Sequence, residues 1–99
     1  MNPMFAHTFT SPGDILSTNA DSIRPELFAL TENLSAGATI HLDLSTARMI
    51  DSVGLNLIVS LLRRAKERKV RVRITVAHNA VKRMMTFTRI DQHAEIVSH

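Results

Sequence analysis

Asp51 and Ser52, adjacent in sequence, hold the most chemistry in this chain. They stand where a loop, 45–51, gives way to an apolar helical pattern. Ser52 falls at or beside the helix N-cap, where a serine hydroxyl is favoured because it accepts a backbone N–H bond. The same place tolerates a phosphate, because a helix N-terminus presents free N–H groups and the positive end of the dipole. Phosphorylation of Ser52 would add about −1.5 to −2 charges without melting the helix. The Asp51 carboxylate would repel that phosphate, which suits a modification read by a partner. A capping serine and a phosphorylation switch are therefore both open, and they are compatible in the unmodified chain.

Other site chemistry is hard to build from these residues. His7, His41, His78, His93 and His99 occur singly, without the spacing of a helical zinc site. His41 and Asp43 share a strand face, which is ordinary for a polar face. Three glycines include no phosphate-cradling loop and no nucleophile elbow. Cysteine is absent, which removes disulfides, thiolate zinc sites and a cysteine nucleophile. No catalytic residue, metal or cofactor is expected, and the chain reads as a non-enzyme.

The net charge of +3 is local. Arg63, Arg64, Lys66, Arg68, Lys69, Arg71 and Arg73 face a single acid, Glu67, within residues 63–73. Such a run could mark a nucleic-acid surface. It also fits a solvated helix end passing into a strand, because cations suit the last turn of a helix. The run holds no aromatic residue, and the chain has four Phe and neither Trp nor Tyr, so stacking platforms for bases are scarce. Nucleic-acid binding is not expected. No apolar run approaches the length of a membrane span, and the opening residues lack the pattern of a secretory signal. A cytoplasmic location without membrane insertion is the simplest expectation.

The elements that must position Asp51 and Ser52 follow from hydrophobic periodicity. At 99 residues the chain suits one domain, residues 1–99, able to bury roughly 60–65% of its unfolded surface. Residues 4–10 read as a short strand and 11–14 as a turn. A helix is predicted from about Asn19 to Leu34, capped by Thr18 or Asn19, with Ile23, Leu27, Leu30 and Leu34 on one stripe. Pro25 costs least within its first turns. Alternation in 39–44 predicts a strand with Ile40, Leu42 and Leu44 inward. A second helix spans about 52–68. Its apolar positions are Leu55, Ile58, Val59, Leu62 and Ala65, broadened by Leu57 and Leu61. Residues 70–77 predict a strand with Val70, Val72, Ile74 and Val76 inward. Asn79 can cap a third helix to about Thr88, with Val81, Met84 and Met85 inward, and 93–97 predict a last strand.

The order is β-α-β-α-β-α-β, an α/β chain with a small mixed or mostly parallel four-stranded sheet. Parallel strands covered on both faces read as continuous apolar runs. Here the second and third strands alternate, so the helices are expected mainly on one face.

Three segments resemble the STAS domain: Asp43-Leu44-Ser45, the run Ile50-Asp51-Ser52-Val53-Gly54-Leu55, and Ala80-Val81-Lys82-Arg83. The likeness runs from about Gly13 to Val97 and is greatest to bacterial anti-sigma factor antagonists. It implies partner switching without a cofactor. Ser52 would be phosphorylated by a serine kinase that is also the anti-sigma factor. The unmodified form would bind that kinase and free its target. The phosphorylated form would let go, and a metal-dependent serine phosphatase would reset it. The contact residues implied are Met49, Ile50, Asp51, Ser52, Val53, Gly54, Leu55 and Met85. The alternative is a STAS adaptor subunit of an ABC-type lipid-trafficking transporter, in which Thr usually stands at the Ser52 position. The chain departs from the family at Leu16, where an Asp is usual, at Val53 and Asn56, and at Glu67–Lys69, which replaces a glycine. An opening strand and a C-terminal helix, both frequent in the family, are expected to be missing.

Overall fold

A computed structural model describes residues 7–32 and 34–98. Of the strand expected at 4–10, residues 4–6 lie outside this range. The elements are β1 (Thr8–Thr10), α1 (Ala20–Glu32), β2 (Thr39–Leu44), α2 (Ser52–Glu67), β3 (Arg71–Val76), α3 (Asn79–Phe87), a 3₁₀ turn (Ile90–Gln92) and β4 (Glu95–Ser98). The four strands lie side by side in chain order and every pairing is parallel.

Strand order explains where the helices go. Each crossover moves one strand in the same direction, and parallel crossovers are right-handed. Consecutive right-handed steps in one direction stack all the helices on one face. Burial agrees: Ile40, Leu42 and Leu44 of β2 and Val72, Ile74 and Val76 of β3 are buried. The alternate residues His41, Asp43 and Thr75 are half-buried and Arg71 and Arg73 exposed. On that open face His41 Nε2 and Thr75 Oγ1 lie 2.8 Å apart, and Arg73 Nε lies 3.3 Å from Glu95 Oε1.

The core is the space between sheet and helices. α2 contributes Leu57, Ile58, Leu61, Leu62 and Ala65, all buried. Its deep stripe is thus centred on Leu57 and Leu61, whereas Leu55 and Val59, expected inside, are half-buried. One residue of phase separates the two readings, and the sheet beneath decides it. α1 buries Ile23 and Leu27 but leaves Leu30 half-buried. α3 begins at Asn79 with His78 as its N-cap, so Asn79 is its first helical residue and not the cap. Val81 and Met85 are buried, and Met84 is half-buried. The 3₁₀ turn, unmarked by periodicity because it is too short to show one, buries Ile90.

Candidate functional site

The loops at the C-terminal ends of β1 and β2 meet at the start of α2. In parallel sheets this is the end where sites are built. Residues 13–17, from the first loop, lie along residues 48–51, from the second. Ile15 and Ile50 form an isolated parallel bridge. Ile15 donates its N–H to the Met49 carbonyl at 3.2 Å, and Asp51 donates to the Ile15 carbonyl at 3.2 Å.

Two carboxylates tie these loops. Asp14 Oδ1 accepts from the backbone N–H of Arg48 at 2.8 Å and of Met49 at 3.0 Å. A carboxylate thus does reach the second loop from the turn, although Leu16 stands where the STAS pattern has Asp. Asn19 then fixes the turn itself: its Oδ1 accepts from Leu16 N–H at 2.8 Å and its Nδ2 donates to the Asp14 carbonyl at 2.9 Å.

Asp51 is the second. It is the N-cap of α2, in extended backbone, and its Oδ1 accepts from Gly54 N–H at 2.9 Å. Its Oδ2 accepts from Ser17 N–H at 2.7 Å, across the two loops. The N–H groups of Gly54 and Ser17 hold its carboxyl below the ordinary carboxylate range. The cap is therefore Asp51 and not Ser52, which is the first helical residue. Both types make good caps, so residue type alone does not separate two adjacent candidates. Displaced from that duty, Ser52 is exposed, and its hydroxyl has no hydrogen-bond partner among the described residues.

Gly54 explains why the loops can lie so close. Its backbone is ordinary helix, so no unusual torsion requires glycine. A Cβ there would press into the Ile15 carbonyl oxygen and come within 2.9 Å of Ile15 Cγ2. The absence of a side chain lets the 13–17 strap cross the first turn of α2.

The expected contact residues divide by exposure. Met49 is 58% exposed and Val53 39%, with Ser52 exposed between them in sequence. Leu55 is half-buried and Gly54 buried under the strap. Ile50 is 2% exposed and Met85 fully buried, so both belong to the core that supports the site and offer a partner no surface. Asp14, the carboxylate nearest the Leu16 position in the turn, and Ser17, which the sequence did not single out, complete the arrangement through carboxylate and backbone N–H contacts. Among the described residues no group of three His, Asp or Glu is placed to hold a metal ion.

The site is an exposed serine on a carboxylate-braced helix start, flanked by exposed apolar side chains. It lies on the surface of a small α/β domain. A model of the STAS domain matches residues 6–99, and the chain belongs to that family. No curated protein matches the chain. Among solved structures, a candidate anti-sigma factor antagonist from Thermotoga maritima aligns with a TM-score of 0.78 at 19% identity. The alignment covers 93% of this chain and 78% of that one. At this identity the likeness speaks for the fold.

Proposed function

We propose that this STAS domain is an anti-sigma factor antagonist, a non-enzymatic binding module of the cytoplasm switched by phosphorylation of Ser52. The observation that carries the reading is the exposed, uncommitted Ser52 hydroxyl beside a cap already filled by Asp51. Unmodified, Met49, Ser52 and Val53 present two exposed apolar side chains and a hydroxyl, none of them charged, and suit burial against an anti-sigma serine kinase. Binding the kinase frees the protein that it holds.

Phosphorylation inverts that surface. The modified serine gains about −1.5 to −2 charges. Elsewhere a helix start would absorb them, but here the Asp51 carboxylate already occupies the Gly54 and Ser17 N–H groups. The phosphate is left to face the partner beside a second anion. Desolvating such a charge against apolar contacts is strongly unfavourable. The module lets go, and a metal-dependent serine phosphatase returns it to the binding form.

The test is retention of host proteins by tagged wild type, Ser52→Ala and Ser52→Asp, read by mass spectrometry. A serine kinase held by the first two and lost from Ser52→Asp is expected. Transporter subunits held equally by all three would overturn the switch and make the chain an adaptor.

A further inference from the structure

A cavity of about 480 Å³ opens at the other end of α2. It exists because β4 is short. The pairing of β3 with β4 begins at Arg73 and Glu95, so Arg71 and Val72 face a notch where a longer β4 would run. The last turns of α2 and the residues before β4 wall this notch.

The lining is strongly cationic. Lys66, Lys69, Arg71 and Arg73 border the cavity together with His93, and the acid there is Glu95. Glu95 is engaged by Arg73 at 3.3 Å. Among the described residues, Lys66, Lys69 and Arg71 have no acidic partner. An adjoining cavity of about 290 Å³ shares Lys66 and His93 and adds Arg63.

The helix dipole does not account for this cluster. Cations in the last turn offset the negative helix end, and Arg64 and Lys66 already do so. Arg71 and Arg73 belong to β3 and answer no such need. Lys69 closes the end of α2. It adopts a left-handed backbone, φ 58°, as the residue after the Arg68 C-cap, where its N–H donates to the Lys66 carbonyl and the Val70 N–H to the Ala65 carbonyl. This closure sets its side chain at the rim of the notch.

We infer that this notch binds a small ligand carrying phosphate groups. The volume is that of a small-molecule pocket, within the usual range of roughly 300–1,000 Å³. Like charges border one notch that is open to solvent, where a compact polyanion relieves their mutual repulsion. A nucleic-acid strand fits less well, since the charges are gathered into a notch with no aromatic platform beside them. The site lies a helix length, about 24 Å for 16 residues, from Ser52 and does not depend on that residue's role.

Inorganic pyrophosphate titrated into the ¹⁵N-labelled protein at near-physiological salt tests this directly. Saturable one-to-one binding is expected, with the largest amide shifts at Lys66, Lys69, Arg71 and Ala94. Lys69→Gly relieves the backbone while removing the charge, so its fold survives. It and Arg71→Gln should each weaken binding about ten-fold or more. Unsaturable shifts spread over all cations would overturn the proposal, as would wild-type affinity in both variants. So would saturable binding of a single-stranded oligonucleotide with none of pyrophosphate.

Discussion

Replacing Gly54 by Ala sets two known effects against each other, and the structure says which wins. In an exposed helix the change favours folding by about 1 kcal/mol, because glycine is the poorer helix former. At Gly54 the added Cβ meets the backbone oxygen of Ile15, which cannot rotate away as a side chain would. The strap must move. Overpacking of this kind costs about 1–3 kcal/mol. Moving the strap also loosens the two backbone bonds of Ile15, to Met49 and from Asp51, each worth about 1 kcal/mol net. The balance is a loss of about 2–4 kcal/mol, which for a domain of this size lowers Tm by roughly 10–25 °C. Thermal and urea unfolding of the single variant measure it. A Tm equal to or above that of wild type would refute the close crossing of strap and helix, because helix propensity would then have acted alone.

Asp51 makes stability depend on acid. Its folded pKa lies below the ordinary value of 3.8, so the unfolded chain takes up this proton first as pH falls. The stabilisation is complete above the ordinary value and is lost as pH drops through it to the lower folded value. Asp51→Asn should remove that part of the pH dependence of the urea midpoint, and parallel pH profiles would count against the bracing role. In the core, Leu61→Ala should cost about 2–5 kcal/mol by equilibrium unfolding, since Leu61 is fully buried on the inward face of α2.

Much of the framework can be read from residue spacing. Strict alternation in 39–44 and 71–76 announces half-covered strands, and the structure lays them in register as neighbours. The inference from alternation to helices on one face holds for a physical reason: progressive strand order with one handedness permits no other arrangement. What spacing does not reveal is contact between distant segments. Nothing local to Asp51 tells that Ser17 will donate to it, and nothing near Asp14 tells that it will hold Arg48 and Met49. The burial of Met85 and Ile50 is likewise a property of packing. An apolar residue near a site can support it from below or meet a partner from above, and sequence does not separate the two. Gly54 shows the same limit, because a missing side chain carries meaning only once Ile15 is seen crossing it.

The chain-ordered sheet also bears on how the molecule assembles. Thr8 and His41 are 33 residues apart, Thr39 and Arg71 are 32, and Arg73 and Glu95 are 22. The loop-closure entropies of the longest and shortest separations differ by only about 0.4 kcal/mol. Connectivity therefore gives no strand pair a lead, and burial alone ranks them. β2 and β3 share six residue pairings and put Ile40, Leu42, Leu44, Val72, Ile74 and Val76 into the core. The β2–α2–β3 unit therefore holds the largest share of the sheet's buried side chains. Ser52, as the first residue of its crossover helix, is anchored to the part of the molecule where most of the core gathers.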